Sequence, residues 1–236
     1  SVISVLAGSG LGQCRLSVKA TTSIVLAPYQ GQLVWINGAA QKVPSGGVDL
    51  GTTGLTSATT YNLYAYMSAV SVMTLEATVS AHATDTTAGN IGVEIKSGDA
   101  TRTLVGKVRL NASLQFVDTA TERFLINWFN RRTRSGISQL AAATTVSATS
   151  LTEINSTLRV GWLTWGTEAE QSGVLGSSQN TATGITQSLG FGLDSATISE
   201  AGIAPSIVTG IAATPYYIYA AIFSTNASSS FVSSEA

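Results

Sequence analysis

His82 is the only histidine of the chain, and this limits the catalytic chemistry that the sequence can support. A Ser-His-Asp triad would need this one ring, and the chain contains no Gly-x-Ser-x-Gly elbow for a serine nucleophile. His82 and Asp85 would supply two metal ligands, but a zinc site needs about four, and neither a second histidine nor clustered cysteines supply the rest. The glycines at 8, 10 and 12 lack the spacing of a dinucleotide fingerprint. We therefore expect a solvated loop histidine, no catalytic residues, no metal and no cofactor.

Glu168 and Glu170 are the candidates for a catalytic carboxylate pair, since they follow Trp162 and Trp165. Aromatic rings beside carboxylates are typical of sugar-binding sites, and glycan hydrolases use two carboxylates. Two acids at i and i+2 of a strand share a face, however, and nothing in the sequence raises the pKa of one of them. The segment also fits an exposed turn. We therefore expect no enzyme, and Trp162 and Trp165 remain weak candidates for binding a host surface glycan.

A basic run, Arg131, Arg132 and Arg134, is the strongest charged feature of the chain. It lacks the interleaved aromatic residues of single-strand binders, and the net charge is −1, so we expect no nucleic acid partner. Residues 1–134 hold eleven of the twelve Lys and Arg against seven acids, whereas residues 135–236 hold one against six. The arginines therefore fit carboxylates of the acidic second half or of a neighbouring subunit, and they are candidates for a domain joint or an attachment site.

The residues before this run form the apolar stretch around which the chain is organised. Residues 123–130 are rich in large apolar side chains, which indicates a strand between two packed layers. We interpret it as a joint between domains, and a core strand of a single domain is the alternative. Because adjacent residues of a strand point to opposite faces, Trp128 and Phe129 should both be buried.

The composition indicates a folded chain with an unusually uncharged surface. Charged residues make up 11% of the 236 residues, against roughly 25% in an average globular protein. No apolar run approaches the roughly 18 residues of a membrane span, so we expect no membrane partner and infer that another subunit covers some apolar surface. The single cysteine, Cys14, excludes an intrachain disulfide, and no signal-peptide pattern opens the chain. Folding in a cytoplasm is the simplest expectation.

Short apolar runs with period two predict strands throughout the chain. Asn37-Gly38 predicts a type I′ hairpin turn, and residues 118–122 predict a short turn of helix at best. The fold class we expect is all-β, with two antiparallel β-sandwich or jelly-roll-like domains and little or no helix. Residues 1–12 would be an N-terminal arm, residues 13–130 the first domain and residues 131–236 the second. The predicted strands of the first domain are 14–19, 23–26, 33–36, 39–43, 60–68, 70–80, 91–95 and 103–110.

Two local patterns give finer expectations. Tyr61 and Tyr217 each follow a Gly-apolar pair at the same spacing, which resembles a tyrosine corner, although aromatic residues favour strand starts in any case. Arg15 and Ser17 share one face of their strand, so the Cys14 thiol should face the core. Leu16 would then lie on the opposite face of the sheet from Cys14 only if a packed layer covers each of the two faces of that sheet.

Four segments carry a resemblance to a known family. Residues 12–16, 61–78, 92–106 and 118–132, the last containing Trp128-Phe129-Asn130-Arg131-Arg132, resemble a family of small virion structural proteins of tailed bacteriophages. The resemblance covers most of residues 12–165. It implies a place on the particle as head decoration, head fibre or tail fibre, and it implies no catalytic residues.

This resemblance and the composition together predict a particular role. We expect a homotrimer in the virion, assembled in the host bacterial cytoplasm, whose partners are the major capsid protein or tail proteins. The chain has no heptad stretch for a coiled-coil stalk and is short for a long fibre, which favours a capsid-bound decoration (cement) or short head-fibre protein. The alternative is a tail fibre or receptor-binding protein that recognises a host cell-surface glycan.

Overall fold

The computed structural model describes one continuous stretch of the chain and several shorter segments. The described residues are 12–132, 136–137, 152–153, 160–163, 165, 171–174, 187–193, 198–203, 219–222 and 228–235. This part is all-β, and no helix occurs in these ranges. The expected N-terminal arm, apart from Gly12, lies outside them. Contacts divide the chain into one unit of Ser1–Asp118 and Phe124–Thr133 and another of Thr119–Arg123 and Arg134–Ala236.

The first unit contains three antiparallel sheets. The strands up to β12 are β1 (Cys14–Ala20), β2 (Ser23–Pro28), β3 (Leu33–Ile36), β4 (Ala39–Lys42), β5 (Val48–Gly51), β6 (Thr60–Met67), β7 (Met73–Thr78), β8 (His82–Thr84), β9 (Glu94–Lys96), β10 (Asp99–Arg109), β11 (Glu122–Arg123) and β12 (Leu125–Asn127). One sheet has the strand order β1-β2-β5, the largest has the order β7-β6-β10-β9-β8 with β12 added beside β10, and β3 and β4 form the third.

One hydrophobic core lies between these sheets. Alternate residues of most of these strands enter it, as period-two strands require. Leu16 and Leu26 come from the first sheet, Leu63 and Val108 from the largest, and Val34 from the third, and all five are fully buried. The pattern of apolar residues therefore determines which face of each strand is inside.

Several predictions for this unit are confirmed. Asn37 and Gly38 have φ values of 50° and 75°, the left-handed conformation that a type I′ turn needs, and β3 pairs with β4 across them. The hairpin of β6 with β7 also forms, but β7 begins only at Met73. The next hairpin joins β9 to β10. Its first strand is shorter than predicted, and Ile91 is 72% exposed.

The prediction of helix at residues 118–122 is wrong. The segment consists of bends that lead into β11. The Thr119 hydroxyl accepts a hydrogen bond from the Glu122 N–H at 3.1 Å, and the Thr119 N–H donates to the Glu122 carbonyl at 2.9 Å. Threonine side chains that bond to nearby backbone groups in this way compete with helix formation.

The prediction that Trp128 and Phe129 are both buried is also wrong. Phe129 is buried, but Trp128 is only half-buried. β12 ends at Asn127 and the chain then bends, with Asn130 at φ 51°. Because the two rings do not lie on a strand between two layers, only one of them enters the core.

The second unit is described mainly by its backbone. Its strands after β12 are β13 (Gly136–Ile137), β14 (Thr152–Glu153), β15 (Val160–Trp162), β16 (Gln171–Val174), β17 (Gln187–Leu193), β18 (Ile198–Ile203), β19 (Tyr219–Ile222) and β20 (Ser228–Glu235). One sheet has the order β11-β15-β20-β17-β18 with β14 beside β20, and another has the order β13-β19-β16. Among the described residues, β11 pairs with β15 in parallel, and the other strand pairs of these two sheets are antiparallel.

Candidate functional site

The segment from Asn127 to Arg132 is the candidate site, and its asparagines fix it to β1. The Asn127 Oδ1 accepts a hydrogen bond from the Leu16 N–H at 2.5 Å, and its Nδ2 donates to the Leu16 carbonyl at 3.2 Å. The Asn130 Nδ2 donates to the carbonyls of Cys14 at 2.9 Å and Gly12 at 3.3 Å. Gly12, Cys14 and Leu16 are alternate residues, whose outward backbone groups lie along one edge of the strand. Two carboxamides therefore occupy the edge of β1 where a further strand would pair.

Phe129 anchors the same segment in the core. Its ring lies on Gly12, where a Cβ would be 2.3 Å from the Phe129 Cδ2. A real Cβ does not approach a ring carbon so closely, so glycine is required at residue 12 for this packing. Phe129 and the two asparagines hold residues 127–130 rigidly against β1.

Half-buried Trp128, which packs against the edge of the core, and exposed Arg131 form a stacked pair. The Arg131 guanidinium carbon lies 4.1 Å from the centroid of the Trp128 ring, and the Arg131 Nε donates a hydrogen bond to the Trp128 carbonyl at 3.1 Å. A guanidinium stacked on tryptophan in this way is stabilised by about 0.5–1 kcal/mol at an exposed site. Arg131 thus presents a positive charge at the surface in a fixed position.

The His82 ring lies beside the Trp128 ring, and the prediction of a solvated loop histidine is wrong. His82 begins β8, and its ring centroid is 5.8 Å from that of Trp128. Its Nδ1 is 2.6 Å from the Glu94 Oε2, and the Thr84 hydroxyl donates to the other oxygen of Glu94. No pattern in the sequence indicates that Glu94, in another strand, contacts this ring.

Asp85 does not join His82 in a metal site. Its carboxylate accepts hydrogen bonds from the Asn90 Nδ2 at 2.6 Å and the Thr87 N–H at 2.8 Å, and these bonds lower the pKa of Asp85 below its ordinary value. Within the described ranges, no three His, Cys, Asp or Glu side chains lie close enough together to hold a metal ion. The role of Asp85 there is to close the loop before β9.

A cluster of charges lies on the largest sheet, in which Lys96 of β9 pairs with His82 of β8. Glu76 forms ion pairs with Lys96, at 2.5 Å, and with Arg102, which also binds Asp99 at 2.8 Å. Burial acts to raise the pKa of Glu76, but the hydrogen bonds and positive charges of Lys96 and Arg102 outweigh it, so the pKa lies below the ordinary value. The Arg102 guanidinium also lies 4.5 Å from the ring centroid of Tyr66. These charges neutralise one another on the sheet surface.

Two further groups of this sheet, buried Tyr64 and half-buried Lys107, have pKa values shifted by burial. Burial raises the pKa of Tyr64 to about 12, with contributions from the nearby charges of Glu76 and Glu94, and its hydroxyl donates to the Ser80 carbonyl at 3.0 Å. Burial lowers the pKa of Lys107 below its ordinary value. Tyr64 is therefore a neutral hydrogen-bond donor to the Ser80 carbonyl at neutral pH.

The two finer sequence predictions have mixed outcomes. The Tyr61 hydroxyl accepts a hydrogen bond from the Thr56 N–H at 2.8 Å, which is the backward contact expected of a tyrosine corner, while Tyr217 lies outside the described residues. Cys14 is buried as predicted, and burial raises its pKa to about 12. Leu16 shares the core face with Cys14, because residues two apart on a strand point the same way.

The remaining candidates are only partly covered by the described residues. Arg132 is exposed beside Arg131. Arg134, Glu168 and Glu170 lie outside the described residues, as does the side chain of Trp162, whose backbone ends β15. Trp165 is half-buried. Of the described candidates, the structure therefore brings together Trp128, Arg131 and His82.

We compared the chain with known proteins. No family model, curated protein or solved structure in these comparisons matches it. Among the residues that the structure describes, we find no helix with the length and hydropathy of a membrane span.

Proposed function

We propose that this chain is a non-enzymatic structural protein of a tailed bacteriophage particle. In this proposal it is a capsid-bound decoration or short head fibre, built from two β-sandwich domains and assembled in the bacterial cytoplasm as a homo-oligomer, with a trimer as the expected form. The family resemblance of residues 12–16, 61–78, 92–106 and 118–132 supports the virion assignment.

The fixed, exposed guanidinium of Arg131 is the observation that carries this proposal. The stretch that bears it is locked to β1 by Asn127 and Asn130, and the guanidinium itself is stacked on Trp128. A pre-organised arginine loses little conformational freedom when it binds a carboxylate. Such a group suits durable attachment to an acidic surface of another subunit.

The ion pairs of the first unit support a structural role for its carboxylates. Glu76, Glu94 and Asp99 bind basic partners on the same sheets. A catalytic carboxylate pair instead needs two environments that push the two pKa values apart. The observed arrangement lowers the pKa of both Glu76 and Asp99, which favours permanently ionised groups that hold strands together.

The partner we propose is an acidic patch on the major capsid protein or on a tail protein. Arg131 and Arg132 are exposed next to each other, and Arg134 follows them in the sequence. Arginine pairs with carboxylates through two parallel hydrogen bonds, which fixes orientation as well as position.

Co-sedimentation with particles that lack the chain tests the proposal. Purified wild-type protein should sediment with such particles and saturate at a fixed number of copies. The Arg131→Ala/Arg132→Ala double variant should keep its fold but bind at least about tenfold more weakly, since charge-assisted contacts contribute about 1.5–3 kcal/mol each. Lys42→Ala, at an exposed lysine of β4, is the matched control and should bind like wild type.

Three results would contradict this proposal. The first is the absence of wild-type protein from the particle fraction, and the second is equal binding by the double variant. A monodisperse monomer in light scattering, unchanged by added particles, would exclude the oligomer. Inhibition of phage adsorption to host cells by the purified protein would instead favour the receptor-binding alternative.

A further inference from the structure

Asn37-Gly38 is the only Asn-Gly dipeptide in the chain, and this dipeptide is the one most open to spontaneous deamidation. In that reaction the backbone nitrogen of the glycine attacks the side-chain carboxamide of the asparagine, and glycine has no Cβ to hinder the approach. Both residues are exposed at the tip of the β3–β4 hairpin. The tip therefore has the residue types and the access to solvent that the reaction needs.

No enzyme is needed for this reaction, and its atoms balance with water alone. The Gly38 nitrogen loses its proton and forms a bond to the Asn37 Cγ, while the bond from Cγ to Nδ2 breaks and ammonia leaves with the proton. Water then opens the succinimide ring that results. Hydrolysis at Cγ gives aspartate. Hydrolysis at the former carbonyl carbon of Asn37 gives isoaspartate, in which the backbone runs through the side chain and is longer by a methylene group.

The conformation of the turn opposes the first step. Asn37 has φ 50° and lies in the left-handed region, for which ψ is about 47°. In this conformation the Gly38 nitrogen points away from the Asn37 side chain, so ring closure needs a large rotation about the Cα–C bond of Asn37. Ile36 pairs with Ala39 immediately beside the turn, and the rotation disrupts that pair. The turn must therefore open before the ring can form.

A second restraint acts on the attacking nitrogen itself. The Gly38 N–H donates a hydrogen bond to the Asn90 Oδ1 at 3.1 Å. This bond must break before the nitrogen can lose its proton and attack the carboxamide. Asn90 is only 5% exposed, although the glycine that it holds is exposed. The acceptor is thus a buried group of the fold, and solvent does not replace it while residues 85–93 stay in place.

Asp85 sets the orientation of the Asn90 side chain. The Asn90 Nδ2 donates to the Asp85 Oδ2 at 2.6 Å, and Asp85 is also 5% exposed. Because a carboxylate accepts from the Nδ2 end of this carboxamide, the Oδ1 end is directed to Gly38. The Trp35 Nε1 donates to the Gly89 carbonyl at 3.2 Å, which holds the same loop to β3 at a second point.

We propose that Asn37 is a deamidation site that the folded chain keeps closed through Asn90, and that it opens when residues 85–93 separate from the β3–β4 hairpin. Modification would damage the core. β3 places Val34 and Ile36 there, and isoaspartate at residue 37 would lengthen the backbone between β3 and β4 and so shift their register. This inference does not depend on attachment to a particle, and the purified full chain is sufficient to test it.

Peptide mapping by mass spectrometry, after incubation in mildly alkaline buffer, tests the protection. Deamidation replaces an NH₂ group by OH and is read from the mass of the peptide that contains Asn37. The reaction in the folded chain should be at least about tenfold slower than in the same chain unfolded in guanidinium chloride, because local opening must precede each event. Isoaspartate in the product confirms that the succinimide formed.

Asn90→Ala tests the hydrogen bond. It removes the acceptor of the Gly38 N–H and should speed deamidation of the folded chain by roughly 2- to 10-fold, the factor that one net hydrogen bond gives. In guanidinium chloride the variant should react like wild type. Asn111→Ala is the matched control, because the Asn111 Oδ1 accepts from the N–H groups of Ser113 and Gln115 in another loop. It should leave deamidation at Asn37 unchanged.

Hydrogen–deuterium exchange of the wild-type chain measures the same bond without a substitution. Gly46 is the comparison, since it is also a glycine in an exposed turn but its amide has no acceptor among the described residues. The Gly38 amide should exchange at least about tenfold more slowly than the Gly46 amide.

The proposal fails on any of three results. One is deamidation of the folded wild type as fast as in guanidinium chloride. Another is exchange of the Gly38 amide as fast as that of Gly46. The third is the same deamidation rate in folded Asn90→Ala and folded Asn111→Ala. Thermal unfolding shows whether both variants are folded, and if Asn90→Ala is not, the two wild-type measurements decide.

Discussion

Asn127 binds both backbone groups of Leu16 with one side chain, although the two residues are 111 positions apart. Its Oδ1 accepts from the Leu16 N–H and its Nδ2 donates to the Leu16 carbonyl. A single carboxamide thus replaces one residue of a neighbouring strand. This contact joins the candidate site to the first sheet.

Replacement of Asn127 should destabilise the first unit. Asn127→Ala leaves the amide and carbonyl of Leu16 without their partner, and an unsatisfied buried group costs about 1–3 kcal/mol. Urea unfolding monitored by labelling of Cys14, in the same strand, measures the loss. Lys42→Ala is the exposed control and should change stability by less than about 0.5 kcal/mol. A midpoint equal to wild type for Asn127→Ala would mean that solvent replaces the carboxamide.

A double-mutant cycle tests the packing of Phe129 on Gly12. Gly12→Ala should destabilise by about 1–3 kcal/mol because the new methyl group overlaps the ring. Phe129→Ala should cost about 3–5 kcal/mol as a truncation of a buried aromatic residue. In the Phe129→Ala background the effect of Gly12→Ala should nearly vanish, as measured by chemical unfolding. Strictly additive effects would show that the two residues do not touch.

The Cys14 thiol should be unreactive in the native protein. Burial raises its pKa to about 12, and the thiolate is the reactive form, so reaction with a thiol reagent at pH 8 should be far slower than that of free cysteine. Denaturation in urea should expose one thiol per chain. Rapid labelling of the folded protein would mean that Cys14 faces solvent and that the assigned face of β1 is incorrect.

Acid should weaken the first unit through Glu76. Its pKa is lower in the folded state, so its contribution to stability is present above its unfolded pKa of about 4.3 and disappears as the pH falls through the lower folded value. Glu76→Gln should cost about 1 kcal/mol at pH 7 and flatten the pH dependence of unfolding below pH 5. Unfolding curves from pH 7 to pH 2 for both proteins measure this. An unchanged pH profile in Glu76→Gln would rule out the ion pairs as its source.

Trp128 and Arg131 should matter less for folding than Phe129. Trp128 is half-buried, so Trp128→Ala should cost less than Phe129→Ala, and Arg131→Ala should cost no more than about 1 kcal/mol, the value of an exposed cation–π contact. Tryptophan fluorescence should change in Arg131→Ala and less in Arg131→Lys. A larger loss from Arg131→Ala than from Phe129→Ala would make Arg131 a core element and would remove it as an attachment residue.

The strands could be predicted because period-two apolar patterns and turn residues, which are local in sequence, determine them. The turn at Asn37-Gly38 and the hairpin of β6 with β7 follow from residues close together in sequence. The same rules failed at residues 118–122, where the side chain of Thr119 satisfies the backbone in place of a helical turn.

The candidate site was predictable only in part. The sequence indicated that residues 123–130 organise the chain, but it suggested a strand buried on both faces. The contacts that decide its structure join Asn127 to Leu16 and His82 to Glu94, and each depends on how separate strands are placed. Alternation of polar and apolar residues contains no information on such side-chain pairs, which explains why Trp128 was misassigned.

A reconstruction of the intact particle tests the proposed function most directly. Our account predicts density for the chain on the capsid, with Arg131 and Arg132 against an acidic surface of the major capsid protein or a tail protein. The density should disappear from particles made without the chain. A particle on which the chain has no density at either head or tail would contradict the proposal, as would attachment through a surface that leaves both arginines facing solvent.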